Sequence, residues 1–304
     1  MLKISAAEFA KIVAGQLHEI SESTMIDQTP VINSKSATKD SFFVAFKGEQ
    51  VDGHNFVTEA INLGAKFALV SKPVAEPHVL VADTGKALID LAIYLRSKLP
   101  ELKIVGITGS QGKTTTKEFL HSILKLEGET VATAGNFNTD IGVPLTLLRC
   151  NEQTKFCILE MGARHSGDIA KLTKMTKPNV GVVLVVGTAH IGEFGSVEAI
   201  AKTKAELIIN LPASSTAVLG SYDIYTPKMA DSLQVQKVLF GDNKNVRAAD
   251  LEMHGGYAHF DLVTPAGRKA VSLQVLGEHQ VPNALAAAAA AFALGVVNEN
   301  IAVG

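Results

Sequence analysis

The sequence predicts an α/β fold with two parts: a small N-terminal α/β domain, and a central domain with a mostly parallel sheet and an antiparallel side sheet. Three observations predict it. Short apolar and β-branched runs alternate with helical patterns along most of the chain, as expected for strands covered on both faces. Residues 246–276 instead alternate polar and apolar side chains around a Pro-Ala-Gly turn, which is typical of antiparallel strands. A glycine-rich segment joins one apolar run directly to a helix.

The N-terminal domain is predicted over residues 1–82. Apolar runs at 42–46 and 67–70 are its candidate strands. Residues 57–63 follow a helical pattern, and Gly64 is placed to end that helix. A small unit of mixed helices and strands is therefore expected here.

The central domain is predicted over residues 83–304, beginning with a helix at 84–98. A further helix at 282–294 carries a run of alanines, which indicates close packing against a sheet. The candidate strands of the parallel sheet are 103–107, 156–159, 180–186, 217–219 and 238–240.

Composition excludes several classes of protein. The 304 residues carry a net charge of −2, which gives no basic field, so we expect no nucleic-acid partner. Cys150 and Cys157 lack the spacings of a disulfide framework and are predicted to be small buried thiols. The N-terminus has no signal-peptide core, and the longest apolar stretch, 284–294, is too short to cross a bilayer. We expect a soluble cytoplasmic monomer without membrane contact.

The glycine-rich segment lies between the strand candidate 103–107 and a helical pattern. Gly109 and Gly112 allow backbone N–H groups to approach an anion, and the start of the helix adds a partial positive charge. Lys113 can reach terminal phosphates, and the Thr114 hydroxyl is placed for Mg²⁺. The central domain is therefore predicted to be of the P-loop ATPase type and to bind ATP or GTP.

This loop departs from the commonest spacing. That spacing places a glycine five positions before the second one, where this chain has Ile107. The nearest glycines are Gly106 and Gly109, which indicates a variant subgroup of phosphate loops. The alternative is a glycine-rich turn that only connects a strand to a helix.

Two further polar residues follow predicted strands. Glu160 comes directly after 156–159, and His190 follows 180–186. Ligands in open α/β sheets bind at the carboxyl ends of the strands, so either side chain could hold a metal beside the phosphates. Taken singly, the glutamate could equally be a helix cap or a solvated charge, and the histidine a hydrogen-bonded structural residue.

Several motifs together carry a family resemblance. They are 108–115 (Thr-Gly-Ser-Gln-Gly-Lys-Thr-Thr), 135–148 (Gly-Asn-Phe-Asn-Thr-Asp-Ile-Gly-Val-Pro-Leu-Thr-Leu-Leu), 189–196 (Ala-His-Ile-Gly-Glu-Phe-Gly-Ser), 204–206 (Lys-Ala-Glu) and 279–284 (His-Gln-Val-Pro-Asn-Ala). In this order they resemble the ATP-dependent Mur ligases of peptidoglycan synthesis. In the N-terminal domain, 52–56 (Asp-Gly-His-Asn-Phe) and Gly64-Ala65 resemble the family's domain for the UDP-sugar end of the substrate. The resemblance covers essentially the whole chain.

The resemblance implies roles for individual residues. The ATP-binding residues would be Gly109, Ser110, Gln111, Gly112, Lys113, Thr114, Thr115 and Asn283, the last on the adenine. The magnesium ligands would be Thr114, Glu160, His190 and Lys204 as a carbamate, and the catalytic residues Lys113, Lys204 and His190. The substrate-binding residues would be Ser34, Lys35, Asp52, Gly53, His54, Asn55 and Asn138.

Two of these positions have open alternatives. Lys204 would react with CO₂ in the family's manner, whereas the residue alone indicates a solvent-facing helix lysine. Asn33-Ser34-Lys35 stands where the family commonly has Asp-Ser-Arg. Arginine and lysine are not equivalent at a forked anion contact, so the uridine site is expected to differ in detail.

The implied activity is addition of D-Ala-D-Ala to UDP-MurNAc-tripeptide through an acyl phosphate, with ATP and Mg²⁺. The family's third, C-terminal domain is absent from these 304 residues, so we expect this chain to bind UDP-sugars without ligating. Rivals are a sibling ligase of the same fold, a folylpolyglutamate synthase, a non-catalytic nucleotide- or UDP-sugar-binding module, and a generic phosphate-loop NTPase. The sequence does not choose between diaminopimelate and lysine at the third peptide position.

Overall fold

A computed structural model describes residues 1–48, 50–189 and 191–304. Contacts within the chain divide it into two compact units. The first comprises Met1–Pro100 and Asp140–Gln153, and the second Glu101–Thr139 and Thr154–Gly304. Both mix helices with sheets, so the predicted α/β class is confirmed.

The first unit contains a mixed sheet with strand order β2-β7-β6-β5-β4. Its neighbours are parallel except β2 and β7, which are antiparallel. A short β1–β3 ladder lies apart from it. The elements are β1 (Ile4–Ser5), α1 (Ala6–Ile12), β2 (Gln16–His18), β3 (Met25–Ile26), β4 (Thr29–Val31), β5 (Ser41–Val44), α2 (Val57–Asn62), β6 (Ala68–Val70), β7 (His78–Leu80) and α3 (Thr84–Lys98).

Aromatic packing holds this sheet to α1. Phe9 on α1 meets Phe42 and Phe67 edge-on, with ring centroids 5.6 Å away in each case, and all three side chains are buried. Phe42 and Phe67 stack at 5.0 Å. Buried aromatic clusters of this kind contribute strongly to a small core.

After Pro100 the chain continues through the second unit, apart from α5, which belongs to the first. The elements are β8 (Lys103–Thr108), α4 (Lys113–Leu124), β9 (Thr130–Ala132), α5 (Gly142–Leu147), β10 (Phe156–Glu160), α6 (Asp168–Thr176), β11 (Val180–Val183), α7 (Ile191–Phe194), α8 (Val197–Ile209), β12 (Thr216–Gly220), β13 (Gln236–Phe240), β14 (Arg247–His254), β15 (Tyr257–Thr264), β16 (Gly267–Leu276), α9 (Val281–Ala293) and α10 (Asn298–Val303).

The main sheet of the second unit is parallel, with strand order β13-β12-β11-β8-β10-β9. β8 lies between β10 and β11, so the chain order reverses at β8, where open α/β sheets form their ligand crevice. In the register, Ile107 is opposite Glu160 and Thr108 is opposite Val183. The ends of these three strands therefore meet at one edge of the sheet.

Helices cover this sheet. Helices α4 and α9 pack together, and the alanines Ala286–Ala291 are buried in the same core as Val105 and Val182. Helix α8 contacts β8 and β11, where Gly106 and Gly181 leave room for its leucine and isoleucine side chains. A Cβ on Gly106 would lie 3.2 Å from a methyl of α8. The burial of Ala286–Ala291 confirms the prediction that the alanine run of α9 packs tightly against the sheet.

The antiparallel side sheet is also confirmed. Strands β14, β15 and β16 pair in chain order, and the predicted turn after Thr264 joins the last two. The alternation seen in the sequence reflects burial, since Ala258, Phe260 and Leu262 of β15 are buried in the core shared with α9.

The compact units divide the chain after Pro100 rather than at residue 82. Helix α3, which was expected to open the central domain, packs against α1 and α5. The Thr84 hydroxyl at its start donates to the Ala45 carbonyl at 3.1 Å. The apolar stripe of this helix does not reveal its packing partners, and the domain boundary at residue 82 stays a prediction.

Strand β11 is shorter than predicted, and β9 was not predicted. The chain leaves the sheet after Val183, because the Val185 carbonyl accepts from Ser110 and the Val186 N–H donates to the Asp223 carboxylate. Strand β9 has only three residues at the sheet edge, too few to give a periodic pattern. Cys150 and Cys157 are both buried, as predicted. None of the described helices is long and apolar enough to span a membrane.

Candidate active site

The phosphate loop connects the end of β8 to the start of α4. Gly112 is the residue before α4 and has φ +84°, a left-handed conformation that favours glycine. A Cβ there would also lie 2.2 Å from the Asn283 Oδ1 atom, so no larger residue fits without moving that side chain. The Thr116 N–H donates to the Gly112 carbonyl at 2.9 Å as the helix begins. The predicted strand, turn and helix are all present.

Ser110 ties the loop to the segment after β11. Its N–H donates to the Val185 carbonyl at 2.9 Å, and its hydroxyl accepts the Gly187 N–H at 2.9 Å. Both the loop and this neighbouring segment are thereby fixed at the same edge of the sheet.

Lys113 is the first residue of α4, and its side chain is partly buried. Its ammonium donates to the Gly109 carbonyl at 3.0 Å and so folds back over the loop. Burial lowers the pKa of Lys113, while the charge of Glu160 acts in the opposite direction. The ammonium therefore lies at the phosphate loop, near the carboxylate of Glu160 at the end of β10.

Three side chains meet beside this lysine. The Thr114 hydroxyl donates to Glu160 Oε2 at 3.0 Å, and Asn138 Nδ2 donates to Glu160 Oε1 at 2.9 Å. Glu160 is only 3% exposed. The structure thus brings together one residue from the helix, one from the end of β10 and one from the loop after β9.

This cluster suits a hard divalent cation. Carboxylate and hydroxyl oxygens are the ligands Mg²⁺ prefers, and the bonds described for the buried Glu160 carboxylate come from neutral donors. Within residues 1–48, 50–189 and 191–304, no group of three or more His, Cys, Asp or Glu side chains could form a complete metal cage. The arrangement therefore fits a magnesium ion that takes its other ligands from phosphate and water.

Lys204 lies on the buried face of α8 and is 3% exposed. It shares that face with Ile200, Leu207 and Ile208, because residues three and four apart are neighbours on a helix. Burial lowers the pKa of Lys204 to about 8, with a smaller contribution from the charge of Lys113, and Glu206 opposes the shift. The solvent-facing alternative considered for Lys204 is wrong.

Glu206, on the same helix, holds the start of α6. Its carboxylate accepts the Gly167 N–H at 2.6 Å, the Ala170 N–H at 3.0 Å and the Ser166 hydroxyl at 3.2 Å. Glu206 could be recognised in the sequence only as the last residue of the 204–206 motif, with no role of its own.

Asp223 is a second residue that the sequence analysis missed. It accepts the Val186 N–H at 2.9 Å and the backbone N–H groups of Tyr225 and Thr226 at 2.7 and 2.8 Å. It follows β12, so the strand-end rule that selected Glu160 could have found it.

A cavity of about 480 Å³ lies beside the phosphate loop. Asn283, at the start of α9, donates through Nδ2 to Gln280 Oε1 at 3.0 Å, which leaves its Oδ1 as an acceptor next to Gly112. The lining residues are Gln111, Gly112, Thr115, Leu184, Val185, Tyr222, Phe240, His279, Gln280, Pro282 and Asn283. This mixture of apolar walls and a few polar atoms is typical of a small-molecule site.

His190, predicted as a metal ligand and catalytic residue, lies outside the described residues. Its role stays a prediction.

The predicted substrate residues of the first unit form a hydrogen-bonded loop. Asp52 Oδ1 lies 2.6 Å from His54 Nδ1, and its other oxygen accepts from Lys72 at 2.7 Å. These bonds, first of all the one from Lys72, hold the pKa of the Asp52 carboxyl below its usual range. Ser71 N–H donates to His54 Nε2 at 2.9 Å. Both ring nitrogens of the buried His54 are therefore used within the unit.

The other first-unit candidates divide by exposure. Ser34 is buried and donates to Glu59 at 2.6 Å, whereas Lys35 and Asn55 are exposed. A Cβ on Gly53 would lie 2.8 Å from the Phe46 carbonyl, so glycine is required there. Direct substrate contact by these residues stays a prediction, and the exposed side chains are the ones free to make it.

Comparison with known proteins places this geometry in a family. Residues 107–291, more than half of the chain, match the Mur ligase middle domain, and residues 31–94 match the Mur ligase family catalytic domain. A UDP-N-acetylmuramoyl-tripeptide–D-alanyl-D-alanine ligase from Mycobacterium bovis is 36% identical over 332 aligned positions, covering 99% of this chain and 65% of its own length.

Two solved structures are also similar. MurF from Acinetobacter baumannii is 37% identical with a TM-score of 0.89, covering 99% of this chain and 67% of that one. A MurF ligase from Thermotoga maritima in complex with ADP is 31% identical with a TM-score of 0.77, covering 91% and 66%. The chain thus spans about two thirds of the length of these relatives, and it belongs to the Mur ligase family.

Proposed function

We propose that this protein is an ATP-dependent amide ligase that adds D-Ala-D-Ala to UDP-MurNAc-tripeptide. The name of the M. bovis relative supports this choice of substrates. We further propose that it works in the cytoplasm as a monomer, on soluble peptidoglycan precursors, with no nucleic-acid or membrane partner.

The observation that carries the proposal is the meeting of Thr114, Glu160 and Asn138 beside Lys113 at the phosphate loop. A ligase of this kind must move a phosphoryl group and neutralise the charge that spreads over it. Backbone N–H groups, an ammonium and a cation-binding carboxylate at one sheet edge are suited to that task. The T. maritima relative, solved in complex with ADP, supports binding of an adenine nucleotide.

In the proposed reaction, the terminal carboxylate of the tripeptide attacks the γ-phosphorus of ATP and releases ADP. The amine of D-Ala-D-Ala then attacks the acyl phosphate, and inorganic phosphate leaves. Lys113 would exchange its bond to the Gly109 carbonyl for phosphate oxygens. Thr114 and Glu160 would hold magnesium, which supplies positive charge to the phosphates when bound.

Asn283 would select the base. Its Oδ1 faces the cavity as an acceptor because Gln280 takes the bond from its Nδ2. The adenine amino group is a donor and suits such an acceptor, whereas guanine presents an oxygen at the corresponding position. The cavity of about 480 Å³ is large enough for a purine.

Lys204 would carry the carbamate that the family resemblance implies. Reaction with CO₂ needs a neutral amine, and a buried lysine with a pKa of about 8 provides one near neutral pH far more readily than a solvated lysine. The carbamate would place a negative charge near Lys113, where it would favour a second cation.

The first unit would hold the UDP-sugar end of the substrate. Lys35 and Lys72 offer exposed ammonium groups for its phosphates, and the Asp52–His54 pair fixes the loop between them. Lysine at position 35 would bind as a point charge and not as a fork.

The function is tested by phosphate release from ATP, using the product of the complete reading frame. Release should require both UDP-MurNAc-tripeptide and D-Ala-D-Ala, and mass spectrometry should find the pentapeptide product. Phosphate release that ignores the dipeptide would indicate a generic NTPase. Release that needs a different amine would indicate a sibling ligase.

A further inference from the structure

Lys117 is a buried cation to which the proposed reaction gives no role. It lies on α4 one turn after Lys113, and only 2% of its surface is exposed. Its ammonium donates to the Thr133 carbonyl at 2.7 Å and pairs with Glu118 Oε1 at 2.8 Å. Burying an ammonium is unfavourable unless it is paired and hydrogen-bonded, so the partners of Lys117 are informative.

Thr133, whose carbonyl accepts the hydrogen bond from Lys117, also bonds to Glu160, the candidate metal ligand. Thr133 follows β9, and its hydroxyl accepts the backbone N–H of Glu160 at 3.0 Å. Its own N–H donates to the Ile158 carbonyl at 3.0 Å. The hydrogen bond from Lys117 therefore fixes Thr133, whose hydroxyl accepts the backbone N–H of Glu160.

Thr133 also begins the loop that carries Asn138. Asn138 donates to the Glu160 carboxylate at 2.9 Å, and its carbonyl accepts the Gly162 N–H at 2.7 Å. Two groups orient the Glu160 carboxylate: Thr114 lies on the same helix as Lys117, and Asn138 lies in the loop that Thr133 begins.

We propose that Lys117, acting through Thr133, is a positioning residue that aligns Glu160 and Asn138 for a divalent cation bound with the nucleotide phosphates. The inference rests on the proposed function, because it presumes a nucleotide at the loop. In this role Lys117 would act without contacting the nucleotide. Its ammonium is directed at the Thr133 carbonyl, while Lys113 covers the loop.

The test compares ADP binding with and without Mg²⁺ by calorimetry, using the 304-residue chain, Lys117→Met and a control, Lys125→Met. Lys125 is exposed directly after α4. Residues that orient a metal ligand typically change metal affinity about 10- to 100-fold when replaced, so Lys117→Met should weaken apparent Mg²⁺ affinity by that factor. Its affinity for ADP in EDTA should stay within about twofold of the unsubstituted chain, well below that effect.

A Lys117→Met variant with unchanged Mg²⁺ dependence would overturn the inference. So would equal weakening with and without Mg²⁺, because that result indicates general damage. If Lys117→Met does not fold, Thr133→Val decides the matter. It removes only the hydroxyl that holds Glu160, so it should lose the Mg²⁺ effect selectively, and a normal Mg²⁺ effect would overturn the proposal.

The control variant, Lys125→Met, should match the unsubstituted chain in its affinity for ADP and in its dependence on Mg²⁺. Absence of ADP binding by the unsubstituted chain would contradict the proposed function, and the role of Lys117 would fall with it. Failure of the inference alone has a different signature, in which ADP and Mg²⁺ bind normally and Lys117→Met changes neither.

Discussion

Lys204 is an ionisable residue on the apolar face of a helix, and its environment determines its chemistry. Desolvation disfavours the charged ammonium, so the pKa falls from 10.5 to about 8. As pH rises through 8, the amine becomes neutral well before an exposed lysine does. A residue that the sequence alone would assign to a solvated surface therefore has the lowered pKa on which the proposed carbamate depends.

We expect ¹³C-bicarbonate NMR to detect a carbamate on the unsubstituted chain, with a signal that rises through pH 8 at fixed bicarbonate. Lys204→Met should lack the signal. Lys202→Met should retain it, because Lys202 is exposed two residues earlier on the same helix. A signal that persists in Lys204→Met would assign the carbamate elsewhere and remove the proposed role.

A Cβ atom added at Gly112 would test whether Asn283 packs on the phosphate loop. Gly112→Ala should weaken ADP binding, since its Cβ would lie 2.2 Å from Asn283 Oδ1. Gly295 is a matched control because its φ of +83° is nearly that of Gly112, yet an added Cβ there meets nothing within 4 Å. Both variants should lose about 1–2 kcal/mol of stability through backbone strain.

Calorimetry with ADP and urea unfolding together separate the two effects. Gly295→Ala should be destabilised and bind ADP normally. Equal ADP affinity in the two variants would mean that Asn283 does not pack on the loop when nucleotide binds.

At the scale of elements, much of the fold could be predicted because the signals are local. Helix α3 was predicted with its observed bounds, and β8 within one residue, because each has a local apolar pattern. The phosphate loop was predicted because its glycines and lysine are adjacent in the chain. Strand β9 and the unit to which α3 belongs depend on contacts between distant segments, which a local pattern does not contain.

The same reason explains the site residues that were missed. Thr133 and Glu160 are 27 residues apart, and Glu206 lies 39 residues from the Gly167 N–H that it accepts. Only the parallel register of the sheet and the packing of α8 on α6 bring these groups together. Glu160 could be predicted from its position at the end of a strand. The residues that hydrogen-bond to it could be identified only in the structure.

The start of α6 depends on a cap from another helix. Glu206→Ala would leave the N–H groups of Gly167 and Ala170 without their acceptor. Loss of a cap costs about 0.5–2 kcal/mol, so urea unfolding should show a destabilisation in that range. Glu101→Ala, at an exposed position, is the control and should change little. Equal stability of both variants would show that α6 finds other partners.

At the scale of the whole molecule, the chain carries two compact units with separate proposed ligands. The first has its own aromatic core, and the second has the sheet covered by α4, α8 and α9. Units with their own cores are expected to fold and bind independently. Damage to the phosphate loop should therefore leave the UDP-sugar site intact.

The most direct test of the central claim is calorimetric titration of the unsubstituted chain and Lys113→Ala with Mg-ATP and, separately, with UDP-MurNAc-tripeptide. Lys113→Ala should lose at least about tenfold in ATP affinity, the scale of one hydrogen bond to a charged group, and should bind the UDP-sugar normally. Unchanged ATP affinity in Lys113→Ala would contradict the assignment of the phosphate loop and, with it, the proposed ligase chemistry.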